Sequence, residues 1–483
     1  MSYEAVIGLE VHVQLKTQTK IFCRCPNRYG AEPNTHICET CLGYPGTLPV
    51  LNRQAVDQAV RLAAALDAQI NRRSVFARKN YFYADLPKGY QISQFELPLA
   101  EHGSLPLSRH PETIRITRLH MEEDAGKLLH QAPGGAPLDD ESLVDFNRCG
   151  TPLLEIVSEP DLRAPEQAAD YFQSLHQVLL YTDTCEANLE EGNLRCDANV
   201  SIRPVGETRL GTRTEIKNLN SFRHVAKAIE YEIQRQIGVV ESGEKVIQST
   251  LTWDADRGRT RVIRTKEEAH DYRYFPEPDL PTLILTEERV TALTEDLPEL
   301  PHARRKRFHQ DLGLSLQDAD ILTQTPELAD YFERVVQAGS SNVQTAANWV
   351  KTEILRGLKE KDIGVDQGIS AQRLAQLIDQ VEKGVLSNSA AKTVLEHMWT
   401  SDKSPEALAE ELGLVQERDP DKLDSWVRQI IEEHPAQRDQ YRGGKHQLLG
   451  FFVGKVMALS KGKADPKGVG ELLRSRLDSD DGE

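Results

Sequence analysis

The chain has 483 residues, 39% hydrophobic and 28% charged, enough for roughly two to four domains and a sizeable buried core. Its net charge is −17, from 58 basic and 75 acidic residues, which argues against generic charge-driven adhesion to nucleic acid and leaves room only for a segregated basic surface. No apolar run approaches a membrane span, and Met1-Ser2-Tyr3-Glu4 carries no basic region ahead of an apolar stretch, so a cytoplasmic protein with no membrane association is expected.

The first segment, Gly8-Leu9-Glu10-Val11-His12-Val13-Gln14-Leu15, alternates strictly. Leu9, Val11, Val13 and Leu15 fall on one face of a strand, and Glu10, His12 and Gln14 on the other. Cys23-x-Cys25 and Cys38-x-x-Cys41 follow at once. Four thiolates complete a tetrahedral zinc shell, and each short spacing lets one tight turn present two sulfurs. Such a closed shell braces a loop and does no chemistry; unligated thiols are the alternative reading. The other three of the seven cysteines, Cys149, Cys185 and Cys196, are scattered and read as buried small apolar residues, not as a secreted disulfide framework.

Residues 52–70 carry a helical stripe of Val56, Ala59, Val60, Ala63 and Leu66. Lys79-Asn80-Tyr81-Phe82-Tyr83 and Leu86-Pro87-Lys88-Gly89-Tyr90-Gln91 form an aromatic and basic, loop-like stretch. Residues 113–123 read as a strand, with Ile114, Ile116, Arg118, His120 and Glu122 expected on one face and Leu119, Met121 and Glu123 on the other. The acids Glu122-Glu123-Asp124 at its end are, taken alone, most simply a solvated turn. Residues 131–140, rich in Gly and Pro, read as a loop. A further strand follows the Gly150-Thr151-Pro152 turn, and a helix spans 165–181.

Leu194, Cys196, Ala198, Val200 and Ile202 then alternate with Arg195, Asp197, Asn199, Ser201 and Arg203. A short strand at 213–217 puts Arg213, Glu215 and Lys217 on one side. Ser221 caps a helix in which Val225, Ile229, Ile233 and Ile237 space at i+4, with Gly238 expected to stop it. Half-polar strands of this kind build an antiparallel sheet with one functional face; the plainer reading is that each polar face is merely solvated. The crowded prolines of 271–281 close the first domain.

From about residue 295 the chain reads as all helix. Thr325-Pro326 and Gly339, Ser370 and Gly384, and Ser404-Pro405 and Gly413 bracket helices, and Asp419-Pro420 opens another. Residues 402–433 hold ten acids and four bases, whereas 442–476 hold eight bases and two acids. The last residues, 479–483, read as a disordered acidic tail.

Glu10, His12, Glu122, Glu123 and Asp197 form a second metal-competent set. Carboxylates suit magnesium, which is held by a few of them together with substrate phosphates. No G-x-x-x-x-G-K-[ST] loop, G-x-G-x-x-G or nucleophile elbow is present. If ATP binds here, its phosphates must therefore meet magnesium and basic side chains, of which Lys79, Arg148, Arg195 and Lys217 lie among the polar motifs.

These stretches, with Gly89-Tyr90-Gln91-Ile92-Ser93-Gln94, Leu119-His120-Met121-Glu122-Glu123-Asp124-Ala125-Gly126-Lys127, residues 145–160, 194–199, 217–221 and 271–281, Gly454-Lys455-Val456-Met457 and Lys461-Gly462-Lys463-Ala464-Asp465-Pro466, closely resemble the GatB family, the B subunits of bacterial tRNA-dependent amidotransferases. The similarity runs from end to end. It implies an α+β fold: a glutamine-synthetase-like catalytic domain with an antiparallel sheet (1–294, with a zinc-binding insertion near 23–41), an all-helical domain (295–405) and a small helical YqeY-like tail domain (406–478).

The resemblance implies a ligase that works with an A subunit, which releases ammonia from glutamine, and a C subunit. The side-chain carboxylate of misacylated Glu-tRNA(Gln) or Asp-tRNA(Asn) is phosphorylated by ATP, and ammonia replaces phosphate. Family matching assigns Glu10, His12 and Glu123 as magnesium ligands, with Glu122 and Asp197 beside them, and Lys79 at the mouth of the ammonia route. Arg195, Lys217 and Asn218 are expected to bind ATP or the aminoacyl end, and the basic 442–476 segment the tRNA body. A non-discriminating aminoacyl-tRNA synthetase is a further expected partner. Cys23, Cys25, Cys38 and Cys41 would hold a zinc that the reaction does not need, since some members lack these cysteines. Cys149 falls where the family's Asn-Arg-x-Gly-Thr-Pro motif often carries Ser or Ala, which speaks against an essential side chain there. The competing readings are a glutamine-synthetase-like ligase on a free amino acid and a zinc-ribbon RNA-binding adaptor.

Overall fold

A computed structural model describes residues 2–131, 138, 140–265, 271–339, 342–417, 419–460 and 462–478. The expected acidic tail at 479–483 and most of the 131–140 loop lie outside the described residues. The chain divides into two compact units, Met1–Arg304 and Arg305–Glu483. The α+β expectation is borne out: an antiparallel-rich sheet with helices, then helix throughout.

The first unit contains β1 (Tyr3–Gln14), α1 (Arg53–Ala65), β2 (Gln69–Ile70), β3 (Arg73–Ser74), β4 (Phe76–Asn80), β5 (Tyr90–Gln94), β6 (Ala100–Pro106), β7 (Thr113–Glu123), β8 (Lys127–Leu129) and β9 (Leu143–Asp145). It continues with β10 (Pro152–Ser158), α2 (Pro165–Thr182), β11 (Leu194–Pro204), β12 (Thr214–Leu219), α3 (Phe222–Glu241), β13 (Ser249–Asp254), β14 (Arg259–Thr265), β15 (Phe275–Pro276), β16 (Leu283–Ile284) and α4 (Glu287–Thr294). Nine strands form one sheet in the order β14-β13-β12-β11-β1-β10-β7-β6-β2, and β15-β4-β5 form a smaller one. Only the β12–β13 pairing of the large sheet is parallel.

Alternation explains why the large sheet has two unlike faces. Leu9, Val11 and Val13 of β1 and Leu194, Cys196, Ala198 and Val200 of β11 are buried in one core with α1, α2 and α3. Glu10, His12, Arg195, Asp197 and Asn199 take the other face, because β1 pairs in register with β11 (Glu10 opposite Asp197, His12 opposite Arg195). α1 begins at Asn52, whose side chain accepts from Gln54 N at 2.9 Å. It ends at Ala65, and the rest of the expected 52–70 helix is turn and the short β2. Ser221 caps α3 through His224 N at 3.1 Å. Gly238 does not stop that helix, which runs on to Glu241 before Gly243 turns the chain at φ 83°.

β7 departs from its expected faces. Its pairing with β10 shifts register between Arg118 and Ile116, which leaves Thr117 as an extra residue. On β6, His102 (φ 55°) sits opposite and takes the same extra step. Ile114 and Ile116 therefore enter the core with Leu119 and Met121, and are parted from His120 and Glu122. A β-bulge of this kind offsets the two-residue period by one. Gly103, just past the bulge, is a close-approach position: a Cβ there would meet Leu66 O at 2.9 Å.

The second unit is helical, with two separate cores. Phe308, Phe332, Trp349, Leu374, Leu377, Leu395 and Leu408 belong to one, and Leu423, Val427, Phe452, Val456, Leu473 and others to the second. Thr325, Ser370 and Ser404 each accept a hydrogen bond from a backbone N–H in the first turn of the helix they begin. Asp419 does the same through Asp421 N.

Candidate active site and metal centre

The polar face gathers its ionisable groups where β7, β10, β1 and β11 lie side by side. Glu155 of β10 faces His12 on one side and His120 on the other. Its Oε2 lies 3.5 Å from His12 Nε2 and 3.0 Å from His120 Nε2. Glu122 completes the square, 3.7 Å from each imidazole. One donor atom each from His12, Glu122 and Glu155 falls within 4.8 Å of the others, and buried His120 Nδ1 has no partner among the described residues.

The charges here are unusually interdependent. Burial opposes protonation of His12, but Glu155 and Glu122 overcome it and push its pKa up to about 9. Burial would raise the carboxyl of Glu155, yet His120 and His12 hold it well below the usual carboxylate range, and Glu122 is lowered in the same way. The buried Glu122 and half-buried Glu155 carboxylates thus draw protons onto neighbouring imidazoles, as they would draw a cation. The donor set of two carboxylates and one imidazole suits a divalent ion, and its hard oxygens suit magnesium.

The structure places the other expected site residues around this square. Glu10 accepts from Asn199 Nδ2 at 2.8 Å, and burial, with Glu155, Glu215 and Asp197 nearby, raises its carboxyl pKa. Asp197 is turned to Lys217 Nζ at 2.7 Å and accepts from Asn218 N at 3.2 Å. Lys217 also reaches Glu215 at 2.8 Å. Asn218, at φ 62°, engages through its backbone. Arg195 pairs with buried Asp124 at 2.7 Å, and Arg148 approaches the same carboxylate at 3.4 Å. A cavity of about 220 Å³ opens beside Glu10, lined by Gly8, Asn199, Ser201, Gly211 and Arg213 among others.

Glu123 stands apart from the group. Next-door residues of a strand point to opposite faces, and Glu123 pairs opposite Pro152 while Glu122 pairs opposite Leu153. The Glu123 carboxylate accepts from Ile92 N at 2.9 Å and from Lys88 Nζ, so it fastens β5 to β7. Conversely, Glu155 and His120 escape the sequence reading as site residues. Glu155 is the one charge in Leu153-Leu154-Glu155-Ile156-Val157, and a lone acid in an apolar strand run is the available signal.

Lys79 comes from β4 of the small sheet. Its ammonium lies 5.1 Å from the Tyr272 ring centroid and 6.0 Å from that of Tyr81. Burial disfavours its charge, but Glu122, Tyr274 and Glu155 leave its pKa raised. The 271–281 segment that carries Tyr272 is clamped by Arg78, whose Nε and Nη2 reach Glu277 at 2.7 and 2.8 Å.

The sulfur atoms of Cys23, Cys25, Cys38 and Cys41 all lie within 4.8 Å of one another. A tetrahedral zinc with ~2.3 Å bonds needs sulfurs ~3.8 Å apart, so the residues fit that ion. Cys41 is lowered to about 5, chiefly by a hydrogen bond from Cys23, and Lys20 also favours its thiolate. Lys20 is fully buried and reaches His36 O at 2.7 Å, Phe146 O at 3.5 Å and Cys41 Sγ at 3.6 Å. The scattered cysteines are buried as expected: Cys149, Cys185 and Cys196 are 3%, 2% and 0% exposed.

Comparison with known proteins agrees along the whole chain. The family described as the GatB/GatE catalytic domain matches residues 5–291, and the one described as the GatB domain matches residues 330–477. The B subunit of the aspartyl/glutamyl-tRNA(Asn/Gln) amidotransferase of Geobacter sulfurreducens is 53% identical over 99% of this chain and 100% of its own. The corresponding B subunits of Thermodesulfovibrio yellowstonii and Chlorobaculum tepidum are 49% and 48% identical, over 98% and 99% of this chain and 99% and 100% of theirs. The chain belongs to the GatB family.

Proposed function

We propose that this chain is the ATP-using subunit of a cytoplasmic amidotransferase that converts misacylated Glu-tRNA(Gln), Asp-tRNA(Asn) or both to the amide. The observation that carries the reading is the partly buried square of Glu155, Glu122, His12 and His120 on the polar sheet face, with Lys79 and Arg195 near it and Lys217 bound to Asp197 on the same face. A carboxylate is a poor electrophile and needs activation. Its oxygen attacks the γ-phosphorus of ATP, the bond to the β-phosphate oxygen breaks, and ADP leaves. Ammonia nitrogen then attacks the acyl carbon, the bond to the phosphate oxygen breaks, and nitrogen sheds a proton. The first step depends mostly on positioning and charge.

His12, Glu122 and Glu155, with Glu10 and Asp197 nearby, would hold a magnesium ion that would neutralise charge on the phosphates. Lys79, Arg195 and Lys217, each half-buried, supply fixed positive charge. Glu10, whose carboxyl pKa is raised by burial and by Glu155, is the nearby carboxylate suited to accept the proton that nitrogen sheds. Lys79, ringed by tyrosines, stands where ammonia would enter from the glutaminase A subunit. Cys23, Cys25, Cys38 and Cys41 would hold a zinc ion that would brace their loop. The C subunit, tRNA held by the 442–476 segment, and a non-discriminating synthetase complete the partners.

The test is a transamidation assay of the reconstituted three-subunit complex with both misacylated tRNAs. ATP-dependent amide formation that requires aminoacyl-tRNA is expected. Equal turnover with free glutamate overturns the reading in favour of a small-substrate ligase.

A further inference from the structure

The outermost strand of the large sheet carries a second positional device. β14 pairs with β13 so that Arg259 lies opposite Asp254, Arg261 opposite Thr252 and Arg264 opposite Thr250. Strict alternation puts Arg264 on the face opposite Arg259 and Arg261. A bulge at Ile263, between the Leu251–Val262 and Thr250–Arg264 pairs, turns it back. All three arginines therefore share one face.

Register identifies that face. Thr250 and Thr252 pair with Glu215 and Lys217 of β12, and Glu215 pairs with Asn199 of β11, the residue bonded to Glu10. The opposite side of the hairpin faces α3: Thr260 Oγ1 donates to Glu232 Oε2 at 3.2 Å, and Tyr231 packs edge-on to Trp253. Arg259, Arg261 and Arg264 are exposed, and their side chains have no ion pair or hydrogen bond among the described residues. β14 is four strands from β1 in the sheet order, or ~19 Å at ~4.8 Å per strand.

We infer that Arg259, Arg261 and Arg264 form a phosphate-binding row that receives the RNA strand leading to the aminoacyl end, several nucleotides from the reacting carboxylate. The inference rests on the proposed function, since it gives the tRNA substrate its path out of the site. Three cations on one strand face, at steps of ~7 Å or more, match a repeating anion. Within a chain of net charge −17, a row of exposed arginines without partners among the described residues, continuous with the catalytic face, answers a polyanionic ligand, and arginine forks suit phosphate oxygens. Such contacts position the RNA without reading its sequence.

The test compares the wild-type complex with a triple variant, Arg259→Gln, Arg261→Gln and Arg264→Gln, and with a charge-preserving triple lysine variant. The glutamine variant is expected to raise KM for aminoacyl-tRNA about 10- to 100-fold and to reduce the slope of log affinity against log salt by about 2, at ~0.7 per phosphate on a single strand. KM for ATP and kcat stay unchanged, and the lysine variant keeps the salt slope. Unchanged tRNA KM and salt slope, or a fall in kcat alone, overturns the inference. Filter binding of tRNA gives the same readout without turnover. A complex that binds tRNA yet forms no amide therefore counts against the proposed function and leaves this test decisive.

Discussion

Glu122 and Glu123 are neighbours in sequence and face opposite sides of β7, one toward the His12–Glu155 cluster and the other toward Lys88 and Ile92 N. Glu122→Gln is expected to lower amide formation by about 100-fold or more, with a raised magnesium requirement. Glu123→Gln is expected to cost about 1–3 kcal/mol of stability with little change in magnesium dependence. Magnesium titrations of activity, paired with chemical denaturation, separate the two. The reverse pattern overturns the ligand set of His12, Glu122 and Glu155.

Glu155→Gln tests the shared carboxylate. It removes the charge that both imidazoles lean on, so His12 becomes easier to deprotonate. A loss of about 10- to 100-fold in metal affinity is expected. An isosteric amide fits the same space, so the fold should persist by circular dichroism.

The cysteine cluster predicts a different phenotype. Its loop is tied to the 144–147 strand end, with His36 N donating to Asn147 Oδ1 at 2.8 Å and Asn147 Nδ2 to Glu32 O at 2.8 Å. Cys38→Ser is expected to abolish zinc binding, measured by metal analysis, and to cost about 2–4 kcal/mol. Amide formation should survive far better than in Glu122→Gln. Loss of activity with the fold intact would instead favour the RNA-binding adaptor.

Asp124 makes a pH prediction. Burial raises its carboxyl pKa, but Arg195 and Arg148 overcome this and hold it below the usual range. A depressed folded pKa means that the stabilisation is complete above the unfolded value of about 4 and is lost as pH falls through the folded one. Asp124→Asn should therefore cost about 2 kcal/mol at pH 7, and the gap from wild type should narrow as pH falls below the unfolded value of about 4. Denaturation curves across that range measure it.

Arg78 and Glu277 provide a stability test away from the chemistry. The Glu277 side chain is fully buried and held by two bonds from Arg78. Arg78→Ala strands that carboxylate and is expected to cost about 3–5 kcal/mol. The tyrosines around Lys79 should loosen with it, so proteolysis within 271–281 should quicken.

The polar face is readable in sequence where alternation is strict. β1 and β11 announce their faces residue by residue, and the helix caps at Ser221, Thr325 and Ser370 lie in local sequence. The pairing of His12 with Glu155 is not readable, because the partners are brought together only by sheet order. Glu155 is also masked by the apolar residues on both sides of it. Ile114 and Ile116 mislead because a bulge is set by the register of neighbouring strands, not by the composition of its own. Gly238 misleads because a helix packed along one face can absorb a glycine.

The extra residue at Thr117 acts as a phase shift within one strand. Without it, Ile114, Ile116, Leu119 and Met121 would alternate in one unbroken period with Arg115, Arg118, His120 and Glu122, so excising Thr117 would keep every face of β7 and leave only His102 of β6 without its opposite number. Excising His120 instead would turn Met121 to the polar face and drive Glu122 into hydrocarbon. A one-residue deletion at the catalytic end of β7 should therefore be far more damaging than deletion of Thr117 itself.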